Sequence, residues 1–317
     1  MRRCYTTKLW EELEKDMETA GYPQYLTESA FNRLEFDVYE HARSMLRVEG
    51  EPGDLMALVQ AHPQVSFTRL ESGSFLLSLN LRTMTEMARH INCTGRECAF
   101  IAEHVPRVSE TVAHCIESGA RDRRFSGERP GSSGASETDF RLMVVQHLTT
   151  GQVREMAGTD LSARELLKHS FATIEVEGIS RAASHQLVRH RLFSFSQESQ
   201  RFSDAVNESG VVPPSITADD ATSRLFSETM RATKEAYSKL RDHGIKKEDA
   251  RFVLPTALKT KILMTGSMYQ IEHASFYRSS FSEVGNKAQW EINRLFTTLY
   301  GEMRKGDPSL PERIEEI

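Results

Sequence analysis

Apolar residues along this 317-residue chain recur with two periods, and the switches between them mark the expected elements. Residues 8–48 mix helical and polar character. Residues 72–81 (SGSFLLSLNL) predict a strand and 82–90 (RTMTEMARH) a helix. Beyond residue 139 the pattern sharpens. Residues 140–148 (FRLMVVQHL) form a strand-like apolar run, and 161–169 (LSARELLKH) predict a helix. Residues 171–177 (FATIEVE) alternate with period two, and Gly178 is expected to end that strand. A helix follows over 179–191, with Ala183 and Leu187 on one face and Gln186 and Arg189 on another. Asp219 to His243 predicts a long helix stopped by Gly244, and Lys246 to Phe252 a short one ended near Pro255. Thr260–Thr265 (TKILMT) is a candidate buried strand, and Met268–Arg278 and Lys287–Tyr300 predict further helices. Interleaved strands and helices imply an α/β fold, a central sheet flanked by helices, preceded by a mainly helical N-terminal extension.

One stretch interrupts the pattern. Residues 119–138 (GARDRRFSGERPGSSGASET) are rich in Gly, Ser, Arg and Pro, the composition of a linker or mobile loop. It divides the chain into an extension over 1–118 and a second unit over 139–317. Residues 74–90 and 171–190 share a strand–helix order ending in Arg-His, either an internal duplication or a common pattern.

Charge narrows the choice of partners. The net charge is -5, so no global basic field points to nucleic acid or to a membrane surface. No apolar run has the length of a transmembrane helix, and the N-terminus has no apolar signal core, so a cytoplasmic enzyme is expected. Cys4, Cys93, Cys98 and Cys115 show no disulfide or zinc spacing. Cys93 and Cys98 near His104 can be read as metal ligands, but reduced thiols and no bound metal are the expectation.

Against this acidic background, residues 189–201 (RHRLFSFSQESQR) place three arginines beside hydroxyl and amide groups. Guanidinium forks offer planar bidentate donors that suit phosphate and carbonyl oxygens. The run is too polar to be expected in the core; a solvated basic loop is the plainer alternative.

The spacing within residues 178–202 (GISRAASHQLVRHRLFSFSQESQRF) resembles the signature of flavin-dependent thymidylate synthases: Arg-His-Arg, seven residues, then Ser. Here these are Arg189, His190, Arg191 and Ser199. Gln186 before the motif, Arg201 after it, the ARFVLP block (250–255), Arg278 and the AQWEI block (288–292) extend the likeness over roughly 140–303. The resemblance implies a homotetramer with active sites built between subunits. It implies FAD as cofactor, with methylenetetrahydrofolate and NADPH as cosubstrates, and C5-methylation of a uracil nucleotide. It makes Arg278 the catalytic arginine, where a donor near the pyrimidine carbonyls stabilises charge developing on the ring. It makes Gln186, Gln197, Ser199, Gln200, Arg201 and Arg251 substrate contacts. Arg189, His190, Arg191, Leu192, His273 and His169 become flavin contacts. Read alone, Ser199 could be a nucleophile, but that needs an adjacent base that the sequence does not reveal. His190 could likewise be a proton shuttle.

The chain also departs from the family pattern. Where the family carries His-x-Ser-x-x-Glu-His, this chain has Ala163 to His169, and only His169 survives. Ser267 and Tyr269 replace an Asn and an Arg, and residues 279–287 (SSFSEVGNK) lengthen the segment after Arg278. That longer segment is expected to be a loop whose serines could meet a ribose hydroxyl. The departures are similar to a divergent branch that methylates UMP in nucleoside antibiotic biosynthesis, as in polyoxin producers. The expectation is methylation of UMP with dUMP also accepted. A dUMP-specific enzyme and a non-catalytic flavin- or nucleotide-binding paralogue are the alternatives.

Overall fold

The computed structural model describes residues 40–41, 43–48, 64–80, 82–83, 140–158, 160–203 and 209–315. The expected linker at 119–138, the four cysteines and most of the expected helix at 82–90 lie outside them. The fold mixes helix and sheet as expected, and both sheets are antiparallel.

The described part of the N-terminal extension centres on a three-stranded sheet, which includes the strand expected over 72–81. Strands β1 (Arg43–Val48) and β2 (Ser66–Arg69) flank β3 (Phe75–Asn80). All six residues of β3 are buried, so it takes the centre. A tight turn with Gly73 at φ 85 joins β2 to β3, a conformation that favours glycine.

The second sheet has the order β4–β5–β7–β6. Its strands are β4 (Arg141–Leu148), β5 (Phe171–Ser180), β6 (Ser194–Gln197) and β7 (Lys259–Ser267). Gly178 does not end β5. It sits at φ 92 where the register slips between Glu177 and Ile179, and the strand runs on to Ser180. The extra residue forms a bulge that re-aims the chain into the next helix. Both faces of the strand are covered, since Phe171 to Val176 are all buried.

Two short helices, α1 (Thr150–Ala157) and α2 (Ala163–His169), both begin with capping boxes, Thr149 with Gln152 and Ser162 with Glu165. Helix α3 (Arg181–Leu187) follows β5 directly and buries Ala183 and Leu187, as their spacing predicts. After β6 come α4 (Pro214–Thr217), the long α5 (Asp220–Asp242) and the short α6 (Lys247–Ala250) with a 3-10 turn over Arg251–Val253. Helix α7 (Met268–Arg278) matches its sequence boundaries, whereas α8 (Trp290–Gly306) starts later and ends later than expected.

The main core lies between one face of the second sheet and helices α3, α7 and α8. Ala172, Ile174, Val176, Ile262 and Met264 meet Leu187, Ile271, Leu295, Phe296 and Leu299 there. The opposite sheet face is buried too, but polar: Thr173, Glu175, Thr265, Ser194 and Ser196 line it. The N-terminal sheet packs against α1 and the approach to α2 through Leu70, Leu76 and Ala157.

Candidate active site

Strand β7 passes into α7 without a loop, so the central strand fixes the helix. Ser267 accepts a hydrogen bond from Gln270 N at 3.2 Å, and Ser267 N donates to Gln270 Oε1 at 2.8 Å, closing a capping box. Met268, Ile271, Ala274 and Ser275 face inward. Tyr269, His273 and Tyr277, each four apart, form the outer stripe, with His273 packed edge-on to Tyr277 at 5.1 Å. Arg278 ends the helix, where a cation suits the C-terminal dipole. Its Nε is buried and has no hydrogen-bond partner among the described residues. A buried unpaired donor is costly, and a ligand acceptor would satisfy it.

His190 lies on the turn after α3. Its backbone N donates to Leu187 O at 3.1 Å, and its carbonyl accepts from Phe193 N at 3.1 Å. The ring lies against Phe296 at 5.5 Å and Phe193 at 6.2 Å. Burial, with smaller contributions from the charges of Arg278 and His273, lowers the His190 pKa to about 4. His190 is therefore a neutral imidazole at physiological pH, which argues against a proton shuttle. His273 and Arg278 thus lie near enough to His190 for their charges to act on its ring. Arg189 and Arg191 flank His190 and are exposed, as is Leu192 at 51%.

A second group forms beyond β6. This strand corrects the expectation that residues 189–201 stay outside the core. Ser194 and Ser196 are buried on the polar sheet face, and Phe195 packs against the main core. Period-two side chains let a polar sequence be half interior. Ser199 O then accepts from Phe202 N at 3.1 Å and Ser203 N at 3.0 Å, and Ser199 Oγ accepts from Arg201 N at 3.3 Å. Among the described residues, no imidazole or carboxylate bonds the Ser199 hydroxyl. Gln200 beside it is partly exposed. Arg201 pairs with Glu248 at 3.3 Å, and Arg251 Nε donates to Glu248 O at 3.1 Å, so α6 brings both arginines to one residue. Gln186 is half-buried on α3. Gln197 Nε2 donates to Ser184 Oγ at 2.8 Å and Thr260 Oγ1 at 3.3 Å, so its amide hydrogens are spent within the fold.

Two expectations need correction. His169 is buried, with Nδ1 bonded to Ser78 Oγ at 2.8 Å and Nε2 to Thr68 Oγ1 at 3.0 Å. Both ring nitrogens thus join α2 to the N-terminal sheet, and neither is left for a flavin. Residues 279–287 are not an open loop. Ser279 Oγ donates to Ser275 O at 2.6 Å, Ser280 Oγ to Asn293 Oδ1 at 3.0 Å, and Ser282 Oγ to Phe276 O. Gly285 packs so closely that an added Cβ would lie 2.1 Å from Ser279 O.

Three further contacts carry no strong sequence signal. Glu291, within the AQWEI block, accepts from Ser180 N at 2.7 Å and Ser180 Oγ at 2.6 Å. Ser180 caps α3, so Glu291 positions the helix that leads to Arg189. His41 reaches from the N-terminal extension onto the polar sheet face, bonding Thr265 Oγ1 at 2.8 Å and Ser196 Oγ at 3.0 Å. Tyr269, one of the departures from the family pattern, meets Arg164: the guanidinium lies over its ring at 5.4 Å and donates to its hydroxyl at 3.1 Å.

Comparison with known proteins places this geometry. A flavin-dependent thymidylate synthase from Geobacter sulfurreducens is 44% identical over 137 residues, 43% of this chain and 57% of that protein. One from Pyrococcus furiosus is 37% identical over 150 residues, 46% of this chain and 59% of that protein. The match therefore spans under three fifths of the length of these relatives. A crystal structure of the UMP/dUMP methylase PolB from Streptomyces cacaoi, bound with 5-Br UMP, aligns at 20% identity with a TM-score of 0.45. It covers 54% of this chain and 91% of that one. The profile of the thymidylate synthase complementing protein family matches residues 132–309, which include both groups of site residues. This chain belongs to that family.

Proposed function

We propose that this protein methylates C5 of a uridine monophosphate, accepting UMP and dUMP, in a flavin-dependent reaction within residues 139–317. The observation that carries the reading is Arg278: a guanidinium at a helix end, its Nε buried and unpartnered among the described residues, near a neutral His190. Such a donor can hydrogen-bond a pyrimidine carbonyl and stabilise charge that develops on the ring during attack from C5. Neutral His190 adds no competing positive charge and supports the turn that carries Arg189 and Arg191. Those exposed arginines suit the phosphates of FAD. When bound, flavin would supply the redox chemistry, with methylenetetrahydrofolate as one-carbon donor and NADPH as reductant. Arg201, Arg251 and Ser199 would hold the nucleotide phosphate, displacing the exposed Arg201–Glu248 pair, which contributes little by itself. The two groups sit on different elements, which is compatible with sites completed between subunits of a homotetramer. A biosynthetic role in nucleoside antibiotics belongs to the same reading.

An ordinary dUMP-specific enzyme is the second reading. It is favoured by Ser279, Ser280 and Ser282, whose hydroxyls bond within the protein and so do not await a ribose hydroxyl. One assay separates the readings: turnover of UMP and dUMP with methylenetetrahydrofolate and NADPH. Turnover of both supports the proposal, dUMP alone supports the second reading, and neither, in a flavin-loaded protein, supports a binding paralogue.

A further inference from the structure

Between α5, residues 209–212 and the start of β7 lies a cavity of about 710 Å³, within the size range of small-molecule pockets. Arg231, Lys234 and Lys239 line it from α5, and Lys259 lines it from the first position of β7. Glu235 is the one carboxylate among the lining residues. Among the described residues, none of these four cations lies within ion-pair distance of a carboxylate. Arg201, Lys261, Arg304 and Lys305 each have such a partner. Like charges gathered around one concavity repel, and the chain as a whole is acidic at -5, so the local excess is not a consequence of composition. A polyanion would offset it, because guanidinium and ammonium groups bond phosphate oxygens with charge assistance.

The rest of the wall sets Val212, Phe226 and Met230 beside Gly210 and the serines Ser209, Ser227 and Ser238. Phe226 and Met230 come from the same helix. Gly210 allows Met230 to approach closely, since a Cβ there would lie 2.6 Å from Met230 Cε. No lining residue belongs to the groups assigned above to nucleotide or flavin. We propose that this cavity binds a ligand carrying two or more phosphate charges on a planar apolar body, the class to which nucleoside diphosphates belong.

The test is calorimetric titration of the full-length protein as purified, with inorganic pyrophosphate and with ADP as probes. Saturable binding of both is expected, with ADP the tighter. Lys234→Gln/Lys259→Gln should weaken both roughly tenfold or more, since two charge-assisted contacts are lost. Ser227→Glu, which adds a carboxylate at an exposed helix position lining the cavity, should do the same. Arg201→Gln/Arg251→Gln should leave pyrophosphate binding unchanged. Absence of saturable binding, or binding unaffected by both cavity variants, overturns the proposal. Binding lost only in Arg201→Gln/Arg251→Gln also overturns it, and would assign the phosphate to the nucleotide group. ADP no tighter than pyrophosphate would overturn the apolar-body assignment. No arm depends on methylation, so failure here leaves the proposed activity untouched.

Discussion

Replacing His169 with leucine tests whether this residue joins the N-terminal sheet to the second unit or serves a cofactor. The ring is 1% exposed and hydrogen-bonded at both nitrogens. Burial holds its pKa at about 4, against an ordinary 6.5. The neutral ring is thus the folded form, whereas the unfolded chain takes up its proton near pH 6.5. Between these values the unfolded chain binds more protons, so stability is full above about pH 6.5 and declines as pH falls. The contribution lost is roughly 3 kcal/mol when pH has fallen through 4, about 2 kcal/mol of it by pH 5. That is a large share of a typical stability of about 5–15 kcal/mol. Leucine removes this proton from the balance but orphans the Ser78 and Thr68 hydroxyls, at about 1–3 kcal/mol each. The variant should therefore be less stable at pH 8 by roughly 2–6 kcal/mol, yet lose less on acidification. Urea unfolding from pH 8 to pH 5 measures both, with flavin content recorded alongside. An unchanged pH slope, or flavin loss at parental stability, would refute the structural role and return His169 to the cofactor.

Arg278→Ala should lower methylation by about two to four orders of magnitude while flavin stays bound, because the lost donor acts where charge develops; near-parental turnover would remove it from the mechanism. Arg189→Ala and Arg191→Ala should each reduce flavin absorbance on purification, and full flavin in both would overturn that assignment. Ser199→Ala should raise the KM for nucleotide by one hydrogen bond, about 0.5–1.5 kcal/mol, and leave kcat measurable; abolished turnover with intact binding would favour a covalent role. Gly285→Ala should destabilise the protein and lower turnover together, since its new Cβ meets Ser279 O and so disturbs the end of α7 that carries Arg278. A variant of parental stability and activity would show that this close packing does not hold the arginine.

Local signals determined much of this protein. The boundaries of α7 follow from a capping serine and an uninterrupted helical run. The long α5 follows from Asp219 at its start and Gly244, at φ 80, just beyond its end. The Arg189–Ser199 spacing, with Arg278, identified the family, because separated blocks in a fixed order need no knowledge of contacts. Tertiary structure decided the rest, and for one physical reason: what a polar side chain does depends on the partner it meets. Nothing local distinguishes His169, spent on two hydroxyls of a distant sheet, from His190, neutral beside an arginine. Nothing local tells that Ser194 and Ser196 are interior, that Ser279 and Ser282 are occupied, or that Glu291 caps Ser180 across 111 residues. Gly178 reads as a strand end, and only pairing with β7 makes it a bulge within the strand. Periodicity reports which faces can be buried. Which groups meet on those faces, and which donor is left without a partner for a ligand to satisfy, is settled when the chain closes on itself.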